Sequence, residues 1–382
     1  MSTVDKKRSW FALITGHMAG MIDLAALPVW VGTLIAGYSF LPAQAGGLAT
    51  LFLIGVVLCN LVVSARFHRM NGRWLAPLGF WVAAFAFVAM TRITDFVPLA
   101  VLHFVAGVGT GIGISLTHGS MGLSRNPHRV FAMASFGLGV LAVVYLGVTP
   151  QLIAASGPSM LFWVFAAVMG VAALVHTLFF PRVEPPAVTH TQGGRMSPKV
   201  WFLILGIVCM ALNNAMALSF AERAGIDGGF GAEQVQFALI TMGIVAILPA
   251  IIAAVLEKKL SVMWVAPIGA LLHGGCALVM LSADEFTFFM APLIFMPFLM
   301  IFTHTFLFGY LAKLDPTGRA VAATPAMVMT GSAIGPFLGG TIVQNFGYPT
   351  LGIATFVIAL IAVGAYLKSK SISEGSAAYE TA

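Results

Sequence analysis

Residues 96–124 read FVPLAVLHFVAGVGTGIGISLTHGSMGLS, a stretch that contains no Asp, Glu, Lys or Arg. A helix that crosses a membrane needs about 20 predominantly apolar residues, so this stretch is long enough to span a bilayer by itself. Charge-free intervals of similar length recur on both sides of it along the chain. The sequence therefore predicts an all-α membrane protein with many spans.

The overall composition agrees with that prediction. Of the 382 residues, 59% are hydrophobic and 8% are charged, whereas an ordinary soluble domain has roughly 25% charged residues. The net charge of +6 suits loops that face anionic lipid, so we expect a lipid bilayer and no nucleic acid as partner. The three cysteines, Cys59, Cys209 and Cys276, stand alone without the spacing of a metal site or a disulfide framework. We predict no metal site and no cofactor.

The charge-free intervals also predict the number of helices. Six intervals fit one helix each: Trp74–Thr91, Phe96–Ser124, Val200–Ala221, Gln234–Leu256, Leu260–Ala283 and Phe286–Ala312. Three intervals are about twice as long as one span needs and must turn inside themselves: Leu24–Ala65, Val130–Pro181 and Ala320–Leu367. Plausible turns lie at 38–44, 156–158 and 346–349. The prediction is twelve transmembrane helices.

The basic residues predict the orientation of these helices. If the N-terminus is cytoplasmic, 17 of the 19 Lys and Arg residues fall in inner segments, and only Arg92 and Arg223 fall outside. Such a bias is typical of cytoplasmic loops. We therefore expect both termini on the cytoplasmic side of an inner membrane.

A polar segment divides the chain into two similar halves. Residues 182–199 are rich in Pro, Thr and Gly and form the predicted cytoplasmic linker. The halves echo each other at a nearly constant offset, as in Asn126-Pro127 and Asp315-Pro316, or Gly157 and Gly347. We predict an N-terminal half over 1–181, a C-terminal half over 200–370 and a cytoplasmic tail over 371–382. Parallel repeats of this kind occur in one large class of secondary transporters.

Two local motifs carry a family resemblance. The segment Ala65–Arg73 reads ARFHRMNGR, close to the pattern Gly-x-x-x-Asp-Arg-x-Gly-Arg but without its acid. In the fourth predicted helix, His103, Gly107 and Gly109 match an Arg-x-x-x-Gly-x-Gly pattern in which histidine replaces arginine. On these residues the chain resembles the major facilitator superfamily over essentially its whole length.

The resemblance implies a fold of two pseudo-symmetric six-helix bundles and transport by alternating access, with a substrate site near the midplane between the halves. A Gly-Pro pattern that marks antiporters in helix five of the family lies here in helix eleven, at Gly331, Gly335, Pro336, Gly339 and Gly340, which argues against a drug exporter. The motif loops are expected to gate the transport cycle through Arg69, Gly72, Arg73, Asp315 and Arg319.

One carboxylate lies near the middle of a predicted span. Asp23 is surrounded in sequence by apolar residues of the first helix, and a charge at the bilayer centre costs at least about 2.5 to 3.5 kcal/mol on insertion scales. The alternatives are a structural residue that is hydrogen-bonded to another helix, or a group that couples transport to protons. We predict proton coupling by Asp23, with His103 on helix four, which is expected to face the same cavity, tuning the exchange.

Helices seven and ten supply the predicted substrate contacts. Asn213 and Asn214 offer two amides, whose burial without partners would be costly. Met296, Met300 and His304 follow at i, i+4 and i+8 on one helix face, which is typical of core packing but also suits a soft ion such as Cu(I). We assign Asn213, Asn214, Met300 and His304 to substrate binding and leave no residue assigned to a metal.

These observations together predict a secondary active transporter, monomeric and not an enzyme. No nucleotide-binding fingerprint is present, and no Lys or Arg lies at a predicted midplane. A neutral, zwitterionic or weakly ionised solute is therefore favoured, and we expect its movement to be coupled to protons. The alternatives are a copper importer of the same fold, or a membrane sensor or assembly factor that does not transport.

Overall fold

The computed structural model describes residues 3–182, 197–314 and 324–380, and within these ranges the chain forms helices and no strand. Two short 3-10 helices lie at Thr3–Asp5 and Phe67–Arg69. The α-helices are α1 (Lys7–Tyr38), α2 (Pro42–Arg66), α3 (Gly72–Met90), α4 (Phe96–Gly122), α5 (Pro127–Ser156), α6 (Met160–Phe179), α7 (Pro198–Asp227), α8 (Ala232–Val245), α9 (Pro249–Leu256), α10 (Val262–Leu281), α11 (Phe286–Leu314) and α12 (Thr324–Glu380).

Eleven helical segments of the described ranges are long and apolar enough to cross a membrane. The prediction of an all-α, multi-pass membrane protein is therefore confirmed. Helices α8 and α9 together form one of these segments, Ala232–Ala253, where a single helix over Gln234–Leu256 was expected. The interruption falls just before Pro249, which has no backbone N–H to continue a helical ladder.

The last of these segments, Ala326–Ile372, is 47 residues long and contains one break. Gly347 has φ 80° and ψ 174° inside α12. Gly157, at the end of α5, adopts nearly the same conformation, with φ 94° and ψ 170°. Positive φ is accessible to glycine because it lacks a Cβ, which explains why the predicted turns at these two sites carry glycine.

The chain separates into two compact units, unit 1 (Met1–Val188) and unit 2 (Thr189–Ala382). In unit 1, α1 packs against α2, α4, α5 and α6, while α4 also packs against α2 and α3. In unit 2, α7 and α10 both pack against α12, and α11 packs against α7, α8, α9 and α10.

Glycines allow close backbone contacts along α4. A Cβ at Gly107 would overlap the backbone carbonyl of Phe52 on α2, and one at Gly109 would overlap the carbonyl of Gly79 on α3. Lipid tails are as apolar as the side chains, so helices in a membrane associate largely through close packing of small residues. The glycine seam therefore holds α2, α3 and α4 together.

Replacing Gly107 by Ala should destabilise unit 1, because the new methyl group would meet backbone rather than a movable side chain. Overpacking of this kind typically costs about 1 to 3 kcal/mol. We expect a lower midpoint of thermal unfolding in detergent than in the wild type. Gly170→Ala on α6 is the matched control, since nothing lies within 4 Å of its added Cβ. Equal midpoints for the two variants would contradict the packing argument.

Candidate functional site

Asp23 lies buried in the middle of α1, with 2% of its surface exposed. Neither carboxylate oxygen makes a hydrogen bond with any group among the described residues. Backbone N–H groups of Asp23 itself and of Leu24 lie near the carboxylate, but their geometry does not meet that of a hydrogen bond. Asp23 is therefore buried in mid-helix, and its carboxyl group has no hydrogen-bond partner among the described residues.

Two contacts on either side of Asp23 show which way this side chain faces. A Cβ at Gly20 would meet the side chain of Ile114 on α4, and Trp30 Nε1 donates a hydrogen bond to His103 Nε2, also on α4, at 3.3 Å. Gly20, Asp23 and Trp30 share one face of α1, because residues spaced by three, four or seven lie above one another on a helix. Asp23 therefore points towards α4, into the interior of unit 1.

The same contacts set the antiparallel register of α1 and α4, in which Asp23 is level with Thr110. Thr110 is fully buried, and its hydroxyl donates to Met169 Sδ on α6 at 3.8 Å. A thioether is a weak acceptor. Thr110, the polar residue of α4 at the level of Asp23, is thus only weakly hydrogen-bonded through its hydroxyl hydrogen.

His103 has partners for both of its ring nitrogens. Besides the bond that Nε2 accepts from Trp30, Nδ1 lies 2.7 Å from the carbonyl oxygen of Leu99, which requires a proton on Nδ1. The ring is fully buried and stacks on Trp30, with centroids 5.6 Å apart. Trp30 lies two helical turns beyond Asp23, about 10 Å along α1. Because the Asp23 oxygens have no hydrogen-bond partner among the described residues, His103 makes no direct hydrogen bond with Asp23 here, and its tuning role stays a prediction.

Three other histidines in the helices of unit 1 also have partners; two are buried, His17 and His176, and one is half-buried, His118. His17 Nδ1 lies 2.9 Å from His118 Nε2. His176 contacts the hydroxyl of Thr117 through Nε2 at 3.1 Å and the carbonyl of Ala172 through Nδ1 at 2.9 Å. These contacts join α1 to α4 and α4 to α6, so these histidines act as links between helices.

The internal repeat extends into the packing and relates Asp23 to a residue of unit 2. Gly16 packs against the ring of His176 in unit 1, and Gly206 packs against the ring of Tyr366 in unit 2. The difference in residue number between Gly16 and Gly206 is the same as that between His176 and Tyr366. That shift also carries Asp23 onto Asn213. Asn213 is 1% exposed, and neither its amide nitrogen nor its amide oxygen has a hydrogen-bond partner among the described residues.

Asn213 belongs to a group of polar side chains in unit 2 that are buried, except for the half-buried Asn214. Asn214 Oδ1 lies 3.3 Å from His273 Nε2 on α10, and His273 lies close enough to His304 on α11 to interact with it electrostatically. Within the described ranges, His273 Nδ1, Thr303 Oγ1 and His304 Nε2 have no hydrogen-bond partner. We call these five residues the unit-2 polar cluster: Asn213, Asn214, His273, Thr303 and His304.

The predicted methionine stripe lies beside this cluster on α11. Met296 is fully buried and Met300 is 8% exposed, so both are positioned as core residues. No group of three or more His, Cys, Asp or Glu side chains that could hold a metal ion occurs in the described part of the chain. The copper alternative, which also relies on thioether ligands, stays a prediction.

The first predicted gating loop lies between α2 and α3, and its last two residues, Gly72 and Arg73, contact the end of α6. Gly72 begins α3, and a Cβ there would lie 3.3 Å from the ring of Phe180. Arg73 Nη1 donates to the carbonyl oxygen of Phe180 at 2.8 Å, while Arg69 is exposed. Asp315 and Arg319, which were predicted for the second loop, lie outside the described residues.

The sequence profile of the Major Facilitator Superfamily matches residues 12–324 of the chain. The chain belongs to the Major Facilitator Superfamily. It is thus a multi-pass secondary transporter and not an enzyme, and members of the family bind small-molecule substrates within the membrane. A comparison with curated proteins gave no match.

Solved structures with the same fold include two states of one transporter. A bacterial homolog of the human lysosomal transporter Spinster, in an inward-facing and occupied conformation, is similar with a TM-score of 0.79 and 16% identity, over 95% of this chain and 96% of that one. Its inward-facing and unoccupied conformation is similar with a TM-score of 0.76 and 16% identity, over 96% of this chain and 97% of that one. At this level of identity the likeness shows the shared fold alone.

Two members of the unit-2 polar cluster of this transporter were not among the predicted site residues. These two members are His273 and Thr303. The internal repeat holds the missing signal, because the equivalent positions of the first half are Ala83 and Gly113, which carry no polar side chain. Polar residues that replace apolar ones in only one repeat mark positions where the halves differ chemically.

The histidines of the two units should respond differently to substitution. His304→Leu removes a buried nitrogen, Nε2, that has no partner among the described residues, and an unsatisfied buried group costs about 1 to 3 kcal/mol. We expect His304→Leu to keep or raise the thermal unfolding midpoint of this transporter. His103→Leu, the matched control, leaves Trp30 Nε1 and the Leu99 carbonyl without partners and should lower the midpoint. The reverse order would show that His304 has a structural partner.

Proposed function

We propose that this transporter moves a small neutral, zwitterionic or weakly ionised solute across the inner membrane by alternating access, and that Asp23 couples the movement to protons. The observation that carries the proposal is the buried Asp23 carboxyl group, whose two oxygens have no hydrogen-bond partner among the described residues. No cofactor is required for such a cycle.

The bare surroundings of Asp23 favour a change of protonation. Desolvation penalises the charged form of a carboxyl group, and no described cation makes an ion pair with Asp23 to offset that penalty. The neutral acid is therefore the stable form while the side chain is enclosed. When water reaches it, the proton can leave. His103 was predicted to share this task, but the partners of its two ring nitrogens favour a role in positioning Trp30.

The unit-2 polar cluster supports the proposed class of solute. It offers amide, hydroxyl and imidazole groups, and none of these carries a permanent charge. Its unpartnered donors and acceptors suit a solute with hydroxyl, amide or weakly ionised groups better than a strong anion or cation. We propose that Asn213, Asn214 and His304 contribute hydrogen bonds and that Met300 contributes an apolar contact.

We further propose twelve spans in two six-helix halves, 1–181 and 200–370, joined by the linker 182–199 and followed by the tail 371–382. A continuous helix over the 47 residues of Ala326–Ile372 would be about 70 Å long, more than twice the hydrocarbon thickness of about 30 Å. The break at Gly347 supports two crossings instead. The basic inner segments support cytoplasmic termini, with Asp315 and Arg319 in a second gating loop and a monomer as the working unit.

The substitution Asp23→Asn tests proton coupling, because it keeps the shape of the side chain and removes its titration. In infrared difference spectra between acidic and alkaline pH, the wild type should show a carbonyl band of a protonated carboxyl group that Asp23→Asn lacks. In proteoliposomes with a solute found by a thermal-shift screen, the variant should lose accumulation driven by a pH gradient yet keep exchange at equal pH.

Asp95→Asn is the control for this experiment, since Asp95 is an exposed acid that makes no capping hydrogen bond at the start of α4. It should keep both the infrared band and the pH-driven accumulation. Wild-type accumulation in Asp23→Asn, with an unchanged dependence on pH, would return Asp23 to a structural role.

Labelling of single cysteines tests the proposed topology. In a variant without Cys59, Cys209 and Cys276, Ala232→Cys should react with an impermeant thiol reagent added outside intact cells, because the 225–232 loop is proposed to face outward. Thr189→Cys in the linker should react only after the cells are opened. External labelling of the linker cysteine in intact cells would refute the orientation.

A further inference from the structure

A cavity of about 320 Å³ lies at the end of unit 1 where α1 begins and α6 ends. Four cationic side chains line it, and they come from the segment before α1, from its first turn, from the start of α3 and from the segment after α6: Lys6, Arg8, Arg73 and Arg182. Leu178, Phe179 and Pro181 form an apolar wall beside these cations. We call this cavity the basic pocket.

No acid occurs among the described residues that line the basic pocket. Lys6, Arg8 and Arg73 form no ion pair with any acid of the described ranges, in contrast to Arg125, whose Nε lies 3.6 Å from Asp5. Family members carry an acid in the loop before α3, as the resemblance implies, and this chain has none there. Lys6, Arg8 and Arg73, held together without an ion pair, repel one another, so the pocket favours an added anion.

Arg73 is held in place for such a role. Its Nη1 donates to the carbonyl of Phe180 at 2.8 Å and reaches that of His176 at 3.5 Å, both at the C-terminal end of α6. A guanidinium group has five N–H donors in a fixed plane, so these two contacts orient the group and leave other donors available. Arginine with free donors suits the oxygens of a phosphate group.

The apolar wall indicates that the anion has a lipid tail. Leu178 is 56% exposed and Phe179 is 36% exposed, next to the basic pocket on the last turn of α6. Because α6 is a membrane-spanning segment that ends there, the pocket lies at the level of the lipid headgroups. Phosphate in solution would use the cations alone, whereas a phospholipid would also cover the exposed apolar side chains.

We propose that the basic pocket binds the headgroup phosphate of an anionic phospholipid, with the acyl chains of the lipid lying along the end of α6. The lipid would neutralise the cations of Lys6, Arg8 and Arg73 together and so join the ends of α1, α3 and α6. This site is separate from Asp23 and from the unit-2 polar cluster, and it stands whether or not transport is coupled to protons.

Native mass spectrometry of delipidated protein titrated with phosphatidylglycerol tests the proposal. The Lys6→Gln/Arg8→Gln double variant should weaken the binding of one phosphatidylglycerol by about thirtyfold, as expected for two cations near an anionic lipid. Arg73 is left intact because it also holds α3 to α6. The thermal unfolding midpoint of the double variant, measured without lipid, should match that of the wild type.

Lys258→Gln/Lys259→Gln is the matched control, since it removes two exposed cations from a different basic segment. It should bind phosphatidylglycerol as the wild type does. Equal weakening in both double variants would reduce the effect to general surface charge and overturn the proposal. Equal affinity for phosphatidylethanolamine would also overturn the proposal, because that lipid has no net negative charge. Equal affinity for inorganic phosphate would overturn it as well, because phosphate has no acyl chains.

Discussion

Close approach of helix backbones is the contact on which each unit of this transporter depends. In lipid, apolar side chains gain little by leaving their surroundings, so the spaces left by missing Cβ atoms largely decide where helices pack. Gly107 and Gly109 bring α4 against α2 and α3, while Gly331 and Gly335 bring α12 against α7. Once these backbones are fixed, the side chains between them have little freedom. The Asp23 carboxyl group and the Asn213 amide, which have no hydrogen-bond partner among the described residues, lie buried within these helix packings.

The two repeats use the same backbone plan with different chemistry. The contacts Gly16–His176 and Gly206–Tyr366 occupy equivalent positions of the two halves, and the glycine breaks at Gly157 and Gly347 share that spacing and nearly the same dihedral angles. The buried histidines, by contrast, are satisfied in unit 1 and partly unsatisfied in unit 2. The two repeats thus share their close glycine contacts and their glycine turns, whereas the polar side chains in their interiors differ.

The sequence predicted most helices because the cost of burying charge limits where spans can occur. It placed the end of the seventh helix too early, at Ala221, since α7 continues to Asp227 and includes Glu222 and Arg223. Arg223 forms an ion pair with Asp227 one turn later, and a count of charge-free residues cannot detect that compensation. The break before Pro249 was also missed, because prolines within other helices of this chain leave the helix continuous.

The site was harder to predict than the fold. The position of Asp23 in a span follows from local sequence alone, but the partners of His103 include Trp30, 73 residues away, and only the three-dimensional packing reveals them. Thr303 had no sequence signal of its own. Its hydroxyl fits against α10 because Gly269 has no side chain there. The equivalent position of the other repeat is Gly113, which has no polar side chain.

The contact between His17 and His118 has a consequence for the end of α1. Two neutral imidazole rings whose nitrogens lie 2.9 Å apart must share one hydrogen, with one ring donating and the other accepting. The choice of donor at one ring therefore fixes the tautomer of the other, and the outer nitrogens of the two rings take opposite characters. A proton added to the accepting nitrogen would turn the bond into a repulsion between like donors. A single added proton would thus weaken this attachment of α1 to α4.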